Sequence, residues 1–250
     1  MAQQRYRARR ALLGQLNCII VEPSEDTQIC GIAFICHGFG APGEDLAGLA
    51  SDLLQNRQTE TPIRIVFPAA PIDLEESGIP GGRAWWHISI QQLLESMEEG
   101  RYELIREQVP EGIESARELL VETIQEGLQS SGLGYDQVLV GGFSQGAMLT
   151  MEVACLGLKQ PPRAIALLSG ALIRERQWKP QVNKLQHTKI FQSHGQWDQI
   201  LPLQTGKWLR DLLIDGGCQV DFLEFQGPHT IPWESIQKLS EMLDFIACPA

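Results

Sequence analysis

Six short apolar runs punctuate the chain, at 31–36, 63–67, 137–141, 164–168, 189–193 and 220–225. Each is long enough for one buried strand and too short for a core helix. Segments of helical period separate most of them: 44–55, 111–128, 146–158, 203–214 and 232–246. In the last, Ile236, Leu239, Leu243 and Ile246 fall on one helix face. Runs without in/out alternation, joined by amphipathic helices, require strands covered on both faces. The expected fold is therefore α/β, with a mostly parallel central sheet and helices on both sides. The run 16–21 adds an expected edge strand.

Over 250 residues, with 43% hydrophobic and 20% charged residues, one such domain (1–250) is expected. The first ten residues carry four arginines and no apolar stretch follows, so 1–12 reads as a flexible tail and not as a secretory signal. The 20 Lys and Arg stand against 31 Asp and Glu, a formal charge of −11. That balance argues against nucleic-acid binding and against docking by charge on an anionic membrane. No apolar run reaches the roughly 18 residues of a spanning helix, so membrane insertion is not expected. Six cysteines, at 18, 30, 36, 155, 218 and 248, lie mostly in apolar runs with no C-x-x-C pair. They read as reduced thiols of a cytoplasmic protein, without a zinc site. The oligomeric state is left open, a homodimer included.

The stretch 72–110 breaks the alternation, being far longer than an ordinary connection. It holds Gly81-Gly82, then Trp85-Trp86, then Ile90, Leu93, Leu94 and Met97 at helical spacing. It is a candidate cover for a functional site, although the Ile90/Leu93/Leu94/Met97 face reads first as core.

Gly142-Phe143-Ser144-Gln145-Gly146 has the pattern G-x-S-x-G. A strand precedes it and a helix follows, so Ser144 falls in a sharp strand-to-helix turn that would lift its hydroxyl to the carboxyl edge of the sheet. Small residues two positions before and after are needed where the two chain segments cross. A plain glycine-rich turn with a capping serine is the alternative. A serine nucleophile needs a histidine to take its proton and an acid to hold that histidine. Asp198 follows the strand 189–193, and only His229 lies beyond it, in the loop after the strand 220–225. Both positions are carboxyl ends of strands, where open α/β sheets carry their sites. Asp211 and Asp215 belong to a helix, and Asp221 is the fallback acid within a strand.

Gly38-Phe39-Gly40-Ala41-Pro42-Gly43 matches the dinucleotide-binding pattern G-x-G-x-x-G. The next strand ends at Pro68 with no acid for a ribose hydroxyl, so that reading is rejected. The loop fits better as a source of one oxyanion-binding amide, Phe39, with Gln145 supplying the other. His37 reads as a structural residue tying the loop.

His37-Gly-Phe-Gly, Phe67-Pro-Ala-Ala-Pro71, Gly141-Gly-Phe-Ser-Gln-Gly146, Leu168-Ser-Gly170, His194-Gly-Gln-Trp-Asp198 and Gly227-Pro-His229 occur in this order. Together they resemble the phospholipase/carboxylesterase family of α/β-hydrolases, which includes the acyl-protein thioesterases. The resemblance runs from about Gly31 to the C-terminus. It implies a cofactor-free and metal-free serine esterase, with a thioesterase or lysophospholipase as the alternative and a non-catalytic ligand-binding protein as the remote one. It makes Ser144, Asp198 and His229 the triad and Phe39 and Gln145 the oxyanion donors. The substrate would be a small or lipid-like acyl ester. Trp86 and Trp197 are candidates for its acyl pocket, and Leu172 falls where family members border that site. The chain departs from the family at Ala41, where Asp is frequent, at Ala147, where a second Gly is frequent, and at Trp85-Trp86-His87, which stands for Trp-Phe-Asp.

Overall fold

A computed structural model describes residues 5–88, 100 and 103–248. Eight strands form one sheet in the order β1-β2-β4-β3-β7-β8-β9-β10. These are β1 (Tyr6–Leu13), β2 (Leu16–Pro23), β3 (Gly31–Cys36), β4 (Ile63–Pro68), β7 (Val138–Phe143), β8 (Ala164–Leu168), β9 (Lys189–Gly195) and β10 (Val220–Phe225). A separate two-stranded hairpin pairs β5 (Ile72–Asp73) with β6 (Arg83–Ala84). From β4 to β10 the main sheet is parallel, and β2 pairs antiparallel with both β1 and β4. The helices are α1 (Ala50–Gln55), α2 (Glu103–Glu107), α3 (Ile113–Ser131), α4 (Gln145–Glu152), α5 (Glu175–Trp178), α6 (Leu203–Asp215) and α7 (Trp233–Ala247). The expected mixed, mostly parallel architecture is the one observed.

Two hydrophobic layers explain why the strand runs show no alternation of polarity. Ile32, Phe34 and Cys36 of β3 face the layer built with α3, α4 and α6. Ala33 and Ile35 of the same strand face the layer built with α1 and α7. β8 divides in the same way, Ile165 and Leu167 against Ala164, Ala166 and Leu168. Burying one Leu or Ile contributes about 1.5–3 kcal/mol, so a strand covered on both faces gains at every position. All six cysteines are free, and Cys18, Cys36, Cys155 and Cys218 are buried.

Three boundaries differ from the sequence expectation. The expected flexible tail 1–12 instead supplies, from Tyr6 on, most of the edge strand β1, which pairs along its length with β2 from Tyr6↔Pro23 to Leu13↔Leu16. Its arginines are not simply solvated. Arg9 Nε donates to Glu22 Oε1 at 2.7 Å, Arg64 Nε donates to Glu22 Oε2 at 2.9 Å, and Arg7 approaches Glu22 to 3.5 Å. Glu22 is nearly buried beneath them, so three guanidinium groups on β1 and β4 converge on one carboxylate of β2. Consequently β2 is an inner strand and not the sheet edge. The helix expected over 146–158 ends its α turn at Glu152 and closes through a π turn at Val153–Gly157. The Ile90/Leu93/Leu94/Met97 face lies outside the described residues.

Burial alone would raise the Glu22 carboxyl, but the Arg9, Arg64 and Arg7 groups outweigh it and hold it below the ordinary carboxylate range. Its stabilisation is therefore present above that range and fades as acid titrates it. Glu22→Gln is expected to lower the melting temperature at pH 7 by a few degrees, on the order of 1–2 kcal/mol. The gap from wild type should shrink toward pH 3. A gap that stayed constant with pH would remove the charge from this account.

Candidate active site

Gly142 and Gly146 bracket Ser144 at the end of β7. A Cβ on Gly146 would overlap the main-chain atoms of Cys36 and His37, and one on Gly142 would overlap Gly146 and the Cys36 carbonyl. The end of β3 thus lies directly against the turn, and only glycine admits that approach. Ser144 itself sits at φ +55° and ψ −115°, a region that costs a non-glycine residue about 1–3 kcal/mol. Its amide donates to Leu168 O at 2.8 Å, which anchors the turn to β8. Ser144 is the N-cap residue of α4, yet its hydroxyl makes no capping bond. The turn is therefore not an ordinary serine-capped helix start.

Across the sheet edge, β9 and β10 extend into two loops that remain paired. Gln196 N–H donates to Phe225 O at 2.8 Å and Trp197 N–H donates to Gly227 O at 3.0 Å. A Cβ on Gly195 would overlap the carbonyls of Gly227 and Pro228, so this contact also requires glycine. The result is a 2.6 Å hydrogen bond between His229 Nδ1 and Asp198 Oδ2. The other oxygen of Asp198, Oδ1, accepts the amides of Ile200 at 2.9 Å and Leu201 at 2.8 Å. Burial by itself would raise this carboxyl; bonds from His194, His229 and Leu201 outweigh it and hold the group well below the usual carboxylate range. Asp198 is thus a buried anion with donors on both oxygens, the condition under which burying a charge is tolerated. The His229 ring lies 4.7 Å from that of Phe143, the residue before Ser144, and its side chain is 10% exposed. Asp221, the fallback acid, instead pairs with Lys238 at 3.2 Å on the surface.

The loop 38–40 lies beside the serine. A Cβ on Gly38 would come within 3.3 Å of Ser144 Cβ, and Gly40 takes φ +79°. His37 holds this loop from beneath. Ala70 N–H donates to His37 Nε2 at 3.0 Å, so the ring proton is on Nδ1, which donates to Gly38 O at 2.8 Å. Burial lowers the imidazole below its ordinary range, in keeping with a neutral structural histidine. Gln145 begins α4, where helix geometry leaves the main-chain amide without an intrahelical acceptor. Its fully buried carboxamide accepts Trp85 N–H at 2.9 Å and donates to Trp86 O at 2.8 Å. Trp85 Nε1 donates to His37 O at 2.9 Å. The root of the 72–110 stretch is thereby fastened to the loop at 37–40 and to the start of α4.

The pocket candidates are placed differently from one another. Trp86 and Leu172, each 1% exposed, belong to the buried cluster that also holds α3 and α4 residues. Trp197, beside Asp198, is 61% exposed. The family departure at Ala147 has a physical counterpart: a Cβ on Gly170 would come within 2.7 Å of the Ala147 methyl, so the extra carbon occupies room that Gly170 leaves. His194 was not singled out from sequence as a site residue, yet its ring reaches Asp198 to 3.3 Å. Its sequence signal is its place at a strand end, four residues before Asp198 and at the head of the segment His194-Gly-Gln-Trp-Asp198.

A sheet of this order, with a serine at a strained strand-to-helix turn, defines an α/β-hydrolase. The phospholipase/carboxylesterase family model matches residues 16–247, and the chain belongs to that family of hydrolases. An acyl-protein thioesterase 1 of Neurospora crassa is 27% identical over 231 residues, covering 90% of this chain and 89% of the relative. One from Kluyveromyces lactis is 27% identical over 217 residues, covering 85% and 90%. Among solved structures, a carboxylesterase from Mesorhizobium loti superimposes with a TM-score of 0.70 at 17% identity, over 96% of this chain and 99% of that one. Esterase PE8 superimposes with a TM-score of 0.69 at 20% identity, over 97% and 99%.

Gly146→Ala is expected to cost about 2–4 kcal/mol, because the obstructing atoms are main chain and cannot rotate away. Gly48→Ala is the control, since a Cβ there meets nothing within 4 Å. Thermal melts of the two variants check this; equal melting temperatures would mean that the crossing of β3 and the turn is not tight.

Proposed function

We propose that the chain cleaves carboxylic esters of acyl chains through an acyl-enzyme formed on Ser144. The observation that carries this reading is the 2.6 Å bond from His229 to a buried, ionised Asp198, in a loop packed against the residue before the strained serine. Ser144 Oγ attacks the acyl carbonyl while His229 Nε2 accepts its proton. Asp198 fixes the tautomer with the proton on Nδ1 and stabilises the imidazolium. The amides of Phe39 and Gln145 receive the oxyanion, each worth roughly 10²–10³ in rate for such donors. The imidazolium then protonates the leaving alcohol. Water, deprotonated by the same ring, releases the acid and restores Ser144. Trp197, exposed beside Asp198, is the better placed of the aromatic candidates to meet an acyl chain; Trp86 acts through its carbonyl on Gln145.

A second reading keeps the same steps with a thiolate as leaving group. The curated relatives named above are acyl-protein thioesterases, spanning most of this chain, which favours an S-acyl protein as substrate. Matched octanoyl esters and thioesters, with a lysophospholipid as third substrate, discriminate these classes by kcat/KM.

Ser144→Ala and His229→Ala are each expected to lower kcat by about 10⁴-fold or more with the fold intact, and the double variant should lose little beyond either single one. Multiplying losses would contradict a concerted unit. Activity should be unchanged by EDTA; loss on chelation that zinc restores would contradict a metal-free reaction. Because Asp198 is held ionised well below the usual carboxylate range, log kcat/KM should fall toward acid with a slope of one, a single proton uptake. A slope of two would show a second essential group titrating.

A further inference from the structure

His194 is completely buried at the end of β9, and the proposed reaction has no step for it. Its Nε2 lies 2.7 Å from Leu201 O and 3.3 Å from Asp198 Oδ2. Both neighbours are acceptors, so Nε2 carries the ring proton. Its Nδ1 has no hydrogen-bond partner among the described residues. The Nε2–H is therefore aimed at the acid loop. The room for the ring is made by Gly206, inside α6, where a Cβ would overlap Nδ1. Glycine is a poor helix former, and here it leaves the space that the ring fills.

We propose that His194 is a positioning residue for Asp198, closing the 198–201 turn through Leu201 O and presenting its Nε2–H to the carboxylate oxygen that serves His229. This rests on the Ser144–His229–Asp198 reading and assigns to the acid a second imidazole. Leu201 is held twice, its amide by Asp198 Oδ1 and its carbonyl by His194, so His194 braces the turn whose amides hold the carboxylate toward His229. The N–H near Oδ2 also takes part of the negative charge that His229 would otherwise meet alone. Removing it leaves a more strongly attracting carboxylate, stabilises the His229 imidazolium, and moves the acidic limb of kcat/KM to higher pH. Glu224, opposite His194 on β10, pairs with Lys207 of α6 at 3.0 Å.

The test compares His194→Leu, which removes the donor, with His194→Gln, whose amide nitrogen reaches nearly the position of Nε2. Each is assayed on octanoyl ester for kcat, KM and pH profile, alongside melting temperature. His194→Leu is expected to lower kcat by about 10-fold or more with KM within about two-fold, and to move the acidic limb up by about half a pH unit or more. His194→Gln should recover most of kcat and return the limb toward its original place. The assignment is overturned if His194→Leu keeps both kcat and limb, or if both variants lose stability and activity alike with the limb unmoved. A wild type that hydrolyses no acyl ester or thioester would instead defeat the Ser144 reading on which the assignment rests.

Discussion

The crossing of β3 with the turn between β7 and α4 is the constraint on which the site depends. Main-chain atoms of Cys36 and His37 touch Gly142 and Gly146 so closely that neither glycine can bear a side chain. That contact forces the turn to be sharp, and the sharpness puts Ser144 at φ +55°. The strain is held by what surrounds it: the ladder of β7 with β3 and β8, and the Ser144 amide on Leu168 O. A cost of about 1–3 kcal/mol is small against a strand buried on both faces, so the core can hold a conformation that the local sequence would not choose. The same crossing seats the loop at 38–40 beside the serine.

Two further contacts made possible by glycine complete the edge. Gly195 lets the loop after β9 meet the loop after β10, which joins Asp198 to His229, and Gly206 leaves room for the His194 ring. Asp198 can be ionised in the interior because four donors face its two oxygens: the amides of Ile200 and Leu201, and the rings of His229 and His194. Backbone geometry and electrostatics are thus one device, since the turn that supplies the amides also aims the carboxylate.

Much of this was legible in the sequence because the sheet is buried on both faces. Runs such as 31–36 and 164–168 stand out as apolar without alternation, and Asp198 and His229 stand out as candidates because each follows a strand, in the serine–acid–histidine order of this fold class. β1 was not legible: an edge strand has solvent on its open side, so its arginines look like a tail until Glu22 is seen beneath them. The burial of Trp86 was not legible, because sequence gives no direction for a side chain in an irregular segment; its place in the cluster with α3 and α4 residues is a tertiary fact. His194 escaped because a histidine at a strand end has many uses. The role proposed for it rests on tertiary facts, the contacts of Nε2 with Leu201 O and Asp198 Oδ2 and the glycine behind the ring.

The claim that Ser144 is the nucleophile is tested most directly by trapping the acyl-enzyme. The protein is mixed with p-nitrophenyl octanoate, quenched in acid within the first turnovers and digested. The account predicts an added octanoyl mass on the peptide that contains Ser144, and no such adduct in Ser144→Ala. Turnover of the ester with no acyl adduct, or with the adduct on another residue, would contradict it.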